Sequence, residues 1–285
     1  MSKTTHIPSV DGYATQLAEA ICLCLLSEEN LLVETTAPSM PIACINGMDL
    51  SADEHLHLLV RPFDRQPPTP VRILPQTIGG AEVEFLSSLD SPRHLAQRLG
   101  NEGRLFIMAS SPLSQWPLAE AIQHRFGLRL KVDITDSGLY QQVGIMAQAS
   151  QRFDSVDFPA CRLFVSEILR STPEAMLQRI VQLVRQCRPP SRQEQDVQSQ
   201  PPSMLAGILE KVTCGPSPRA TRALFRLSAA RACMQGRRAI EDSDVVHFLP
   251  LVLPHHVHFE KSADAQLIDV LVGDVARRFL SSAQS

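Results

Sequence analysis

The sequence lacks a Cys-x-x-Cys pair, a glycine-rich phosphate loop, and a basic stretch leading into an apolar run at its start. Each absence narrows the reading. The cysteines Cys22, Cys24, Cys44, Cys161, Cys187, Cys214 and Cys233 are scattered and odd in number. That argues against a disulfide framework and leaves most of them as small core residues. Residues Met1 to Tyr13 are polar and show no secretory signal pattern. The strongly apolar run Ile21 to Leu26 is far too short to span a bilayer. A cytoplasmic protein with no membrane partner is therefore expected. A net charge of -3 gives no general pull towards nucleic acid or anionic lipid, so any phosphate binding must be local. No Gly-x-Ser-x-Gly elbow or His-Glu-x-x-His motif supports a hydrolase of another kind.

What is present is enough to build cores. Of 285 residues, 44% are hydrophobic and 20% charged, which suits about two domains. Residues 14 to 26 place Leu17, Ala20, Ile21, Cys24 and Leu25 on one helical face. Leu31-Leu32-Val33 follows as a short buried strand. Further strands are predicted at Val71 to Leu74, Val83 to Leu86, Arg104 to Ala109 and Leu128 to Val132. Pro117 opens a predicted helix over Leu118 to Phe126. The alternation implies a mostly parallel sheet covered by helices. The segment from Cys44 to Pro70 has no clear pattern and ends in a Pro67-Pro68-Thr69-Pro70 connection.

Beyond Val132 the pattern turns helical. Ser171-Thr172-Pro173-Glu174 reads as a helix opening, with a hydroxyl cap and an acid in the first turn. Pro189-Pro190 stops that helix. Residues 188 to 203, "RPPSRQEQDVQSQPPS", are nearly devoid of apolar side chains and read as a flexible linker. Ala220, Ala223, Leu224, Leu227 and Ala230 then form an apolar stripe, and Asp264 to Leu280 makes a last amphipathic helix.

Two segments carry a family resemblance. In residues 215 to 257, Gly215-x-Ser217-Pro218-Arg219-Ala220, Ala230-Arg231-Ala232, Gly236-Arg237, Asp244-Val245 and Val252-Leu253-x-His255 are similar to the helical lid of MoxR-type AAA ATPases. In "FIMASSPLSQWPLAEAIQHRF", residues 106 to 126, Pro117, Leu118, Glu120, Ala121, Arg125 and Phe126 resemble that family's sensor-1 strand and arginine-finger helix. The resemblance runs from residue 12 to about residue 258. It implies an AAA-type α/β core with a five-stranded, mostly parallel sheet in residues 1–165. A C-terminal all-helical lid would occupy residues 166–285 and contain the linker at 188–203. It also implies that Arg125 is an arginine finger and Arg219 the sensor-2 contact to ATP phosphates, both acting on a neighbour's nucleotide.

The departures from the family pattern bear on function. In "LLVETTAPSMPI", residues 31 to 42, Pro41 falls where the phosphate-binding lysine would stand and Ile42 where a hydroxyl would hold Mg²⁺. Prolines at 38 and 41 also remove backbone N–H donors. Ser87-Ser88 falls at the acidic pair, and Ser111 near the sensor-1 asparagine. The space between Leu74 and Val83 is too short for the family's extra hairpin. The expectation is a pseudo-ATPase that binds no cofactor alone, with ATP-Mg held only at an interface with an active partner. That partner would be an AAA-family neighbour in a homo- or hetero-oligomer. The rival readings are an ATP-binding relative with an unorthodox loop, and a nucleic-acid module using Arg219, Arg222 and Arg226. The acidic balance favours a solvated face for those three, and so no nucleic-acid partner. Asp90 reads as a turn or cap residue. His255, His256 and His258 have no acid or cysteine at ligand spacing before Glu260, so no metal is expected.

Overall fold

The computed structural model describes residues 11–35, 41, 44–45, 56–60, 76–78, 81–85, 99, 105–110, 120–132, 157–189, 204–260 and 266–282. These fall into two compact units. One comprises Met1–Ile122 and Leu128–Phe158, the other Gln123–Gly127 and Pro159–Ser285. The later break between the units falls after Phe158, and the short segment around Arg125 belongs with the C-terminal unit.

The first unit opens with α1 (Asp11–Ser27). One apolar face was expected of it, yet every residue from Leu17 to Ser27 except Glu19 is buried. A helix buried all round belongs inside a layer, not on its surface. It stops because Glu28 adopts a left-handed conformation (φ 54°), and the Glu29 N–H donates to the Cys24 carbonyl at 3.2 Å. This closure normally uses glycine. Asn30 then sets the sheet register. Its side-chain oxygen accepts from the Phe106 N–H at 3.0 Å, and its carbonyl accepts from the Leu128 N–H at 3.2 Å.

Among the described residues the sheet has six strands, where five were expected, in the order β3-β4-β2-β5-β1-β6. They are β1 (Leu31–Thr35), β2 (Leu56–Val60), β3 (Gln76–Ile78), β4 (Ala81–Phe85), β5 (Leu105–Ser110) and β6 (Leu128–Val132). The pairings β6-β1, β1-β5, β5-β2 and β2-β4 are parallel, and β3-β4 is antiparallel. Strand β2 falls in the segment without a clear sequence pattern, and the expected strand at Val71 to Leu74 lies outside the described residues. All five residues of β1 are buried, as a central parallel strand covered on both faces requires.

The second unit contains α2's last residue, with α2 spanning Glu120–Gln123, and most of α3 (Phe158–Ser171). It continues with α4 (Glu174–Arg185), α5 (Met204–Leu209), α6 (Pro218–Met234), α7 (Asp242–Val252) and α8 (Leu267–Ser281). Helix α6 packs on α4 and α7, and α8 packs on α4, α5 and α7. This unit is not all-helical. Strand β7 (Val212–Cys214) pairs antiparallel with β8 (His258–Phe259). Nor does the Ser171-Thr172 pair cap α4. Both hydroxyls donate back to the Ile168 carbonyl, Thr172 at 2.7 Å and Ser171 at 3.2 Å, and so close α3 instead. Arg179 on α4 makes a fork to Asp242 at 2.8 and 2.9 Å, donates to the Phe279 carbonyl at 2.9 Å, and lies 4.4 Å from the Phe279 ring centre. One guanidinium thereby joins three helices.

Of the expected linker, residues 190 to 203 lie outside the described residues. Arg188 is already held, because its Nε donates to the Pro216 carbonyl at 2.9 Å. Gly215 permits that approach, since a Cβ there would stand 2.9 Å from the Arg188 Cα.

Candidate functional site

In an open parallel sheet, ligands bind beyond the carboxyl ends of the strands. Here β1 and β5 run side by side in the same direction, with Glu34 opposite Ser110. The end of β1 carries an ion pair not foreseen from the sequence. Buried Glu34 accepts from the Arg129 guanidinium of β6, two buried or nearly buried charges that neutralise one another. Pro41, at the lysine position implied by the family resemblance, is helical and buried, and so are Cys44 and Ile45. Proline supplies neither a cationic side chain nor an N–H. Burial pushes the Cys44 thiol up to about 12, which leaves it an inert core group. Ile42, Ser87, Ser88, Asp90 and Ser111 lie outside the described residues.

Arg125 and Arg219 come from distant parts of the sequence but from one compact unit. Arg125 is not on a helix as expected. Helix α2 ends at Gln123, and the Phe126 N–H donates to the Gln123 carbonyl at 3.1 Å, so Arg125 sits in the turn that follows. Arg219 stands in the first turn of α6, after Ser217, whose side chain accepts from the Arg219 N–H at 3.3 Å, and Pro218. The Ser-Pro-Arg order thus has a local cause: a hydroxyl cap, a proline where no N–H is needed, and a cation projected from the helix start. That start is the positive end of the helix dipole, where an arginine gains nothing. Burial lowers the Arg219 pKa, and the charges of Arg125 and Arg222 lower it further. Two further guanidinium groups, Arg125 and Arg222, thus lie near enough to act on Arg219 with charge of the same sign.

Histidines fix the turn that carries Arg125. Buried His255 donates from Nε2 to the Phe126 carbonyl at 2.8 Å. Next to it, the ring centre of His124 lies 5.0 Å from that of His256 and 5.2 Å from that of His258, and the Nε2 atoms of His124 and His258 are 3.2 Å apart. His256 is also fully buried, and burial, then the neighbouring His255 and His124, hold its pKa well below 6.5. Among the described residues no three His, Cys, Asp or Glu side chains converge in a metal-holding geometry. The sequence marked His255, His256 and His258 but not their convergence with His124, which only the tertiary fold creates.

The other lid motifs form a scaffold for α6. Gly236 (φ 69°) ends the helix, its N–H donating to the Cys233 carbonyl at 2.8 Å and the Arg237 N–H to the Ala232 carbonyl at 2.8 Å. Arg237 is thereby aimed at Asp244, which it grips at 2.6 and 2.8 Å. Asp244 also accepts from Arg231 at 2.7 Å and from the Glu241 N–H at 2.9 Å. The carboxylate is fully buried. Burial raises its pKa, but the hydrogen bonds from Arg237, the Glu241 backbone and Arg231 outweigh this and hold it below its ordinary value.

Comparison with known proteins agrees with this architecture. Residues 209–271 match the AAA lid domain, the stretch from the end of α5 into α8. The chain also resembles the crystal structure of a "putative ATPase" from Cytophaga hutchinsonii, with 14% identity and a TM-score of 0.59. That likeness covers 93% of this chain and 91% of the other, and it establishes a shared fold. No curated protein matches the chain in sequence. The lid match thus places an AAA lid domain at residues 209–271, and the likeness to the solved structure is one of fold. Among the described residues no helix is long and apolar enough to cross a membrane.

Proposed function

We propose that this chain is a MoxR-like AAA protein that does not hydrolyse ATP itself. It acts as a subunit or scaffold of an oligomeric AAA assembly and presents Arg125 and Arg219 to the ATP of a neighbouring subunit. The observation that carries the reading is the grouping of these two arginines in one compact unit, around the positive start of α6. An arginine finger supplies charge where a phosphoryl transition state spreads negative charge, and it needs no phosphate loop on its own subunit. The sequence supports the other half. Pro41 and Ile42 replace the lysine and hydroxyl of the family pattern, and Ser87-Ser88 replace its acids.

On this reading the isolated chain binds no nucleotide, and ATP-Mg is held only at an interface with an active partner. Isothermal titration of ATP-Mg into the isolated protein tests it. The expected result is no saturable heat. Saturable one-site binding would favour the alternative, an ATP-binding relative with an unorthodox phosphate loop, and would overturn the proposal.

A further inference from the structure

Cys161 and Cys233 lie 72 positions apart in sequence and meet in the second unit. Cys161 stands near the start of α3 and Cys233 in the last turn of α6. The Cys233 Sγ is 3.8 Å from the Cys161 carbonyl oxygen. Both residues are partly exposed, whereas Cys22, Cys24, Cys44 and Cys187 are buried. This is the one place among the described residues where two solvent-reachable thiols are brought together.

We infer that Cys161 and Cys233 form a reversible disulfide under oxidation, a redox-modification site that staples α3 to α6. The oxidant class is a peroxide. One thiolate attacks the peroxide O–O bond and becomes a sulfenic acid, and one oxygen leaves as water. The second sulfur then attacks the sulfenic sulfur, the S–S bond forms, and the sulfenic oxygen departs as a second water. Two thiols lose two electrons and two protons, and the peroxide is reduced to two waters. The second step needs a sulfur already beside the first, and the fold supplies it. Burial, then Cys161's charge and hydrogen bond, push the Cys233 thiol up to about 11. Cys233 thiolate is therefore scarce at neutral pH, and more of it forms as the pH rises.

The bond would join α3 to α6, the helix whose first turn carries Arg219. By removing freedom from the unfolded chain, it would raise thermal stability. The test uses the full chain treated with hydrogen peroxide at pH 8. Free thiols are then capped with N-ethylmaleimide, and unreduced digests are read by mass spectrometry. The expected product is a peptide pair joined through Cys161 and Cys233, two hydrogens lighter than its parts and separated by dithiothreitol. The melting midpoint should rise on oxidation and return on reduction. Cys161→Ser and Cys233→Ser should each lose both effects, and Cys214→Ser should keep them. Recovery of Cys161 and Cys233 as capped thiols, as separate sulfinic acids, or only in bonds between chains would overturn the inference. The peptide analysis of the unsubstituted protein decides this even if a serine variant fails to fold.

Discussion

An imidazole-to-carbonyl contact, from His255 to Phe126, helps hold the turn in which Arg125 stands. Its neighbour His256 shows what that position demands of a titratable ring. His256 is fully buried beside His255, His124 and His258, so protonating it would place a cation among three further imidazoles. Its folded pKa therefore lies well below 6.5, while in the unfolded chain it returns towards that value. Between the two, the unfolded chain takes up a proton that the fold refuses. The contribution of this residue to stability is full above pH 6.5 and declines as the pH falls. Calorimetric melting at pH 7.5, 6.0 and 5.0 should show a falling midpoint, and His256→Leu should reduce the slope. An identical slope in the variant would mean that His256 is not buried in its neutral form. None of this was visible in the sequence. In the sequence His255, His256 and His258 raise only the question of a metal, and His124 joins them from a segment more than a hundred residues away.

At the scale of elements, the lid motifs were the most legible part of the chain, because each is a local device with a local cause. Ser217-Pro218 starts α6, and Gly236 ends it with a positive φ. Arg237 and Asp244 join that end to the start of α7. Elements fixed by distant partners were not legible. Strand β2 interrupts its apolar run with His57, which pairs opposite Phe106 with ring centres 5.3 Å apart, and it is stabilised by β4 and β5 on either side. The hydroxyls before α4 were assigned to the wrong helix, because only the fold shows that they close α3. The Asp244 network allows a quantitative test. Asp244→Ala removes the buried partner of two arginines and the carboxylate that accepts from the Glu241 backbone N–H, and loss of one member of a buried ion pair costs about 3 kcal/mol or more. Urea denaturation should show that loss. Asp244→Asn, which keeps an acceptor oxygen but no charge, should recover only part of it. A cost below about 1 kcal/mol for the alanine variant would mean that the network is not sustained in solution.

For the whole molecule, the α/β class was legible from alternating strands and helices, whereas the sheet order was not, because strand neighbours are set by pairings between remote segments. The same limit applied to Arg125 and Arg219, whose spacing in sequence gives no hint that one unit gathers them. Their joint role can be tested in a mixed assembly with a relative whose phosphate loop is intact. In such a complex the neighbour holds the ATP and this chain supplies the positive charge. Arg125→Ala should then lower the ATPase rate of the complex substantially, by about 10³-fold where no other interface hydrolyses. Arg125→Lys should rescue poorly, because an ammonium does not reproduce the planar guanidinium fork. Arg219→Ala should weaken nucleotide affinity more than turnover, and so raise KM more than it lowers kcat. Each variant must still co-elute with its partner in size-exclusion chromatography, which separates loss of catalysis from loss of assembly. Removing His255 as well should shift the Arg125 phenotype little, since that contact acts only through the position of the turn. If an intact complex with both arginines replaced by alanine hydrolyses ATP at the original rate, the arginines contribute nothing to a neighbour's site, and the chain is a scaffold alone.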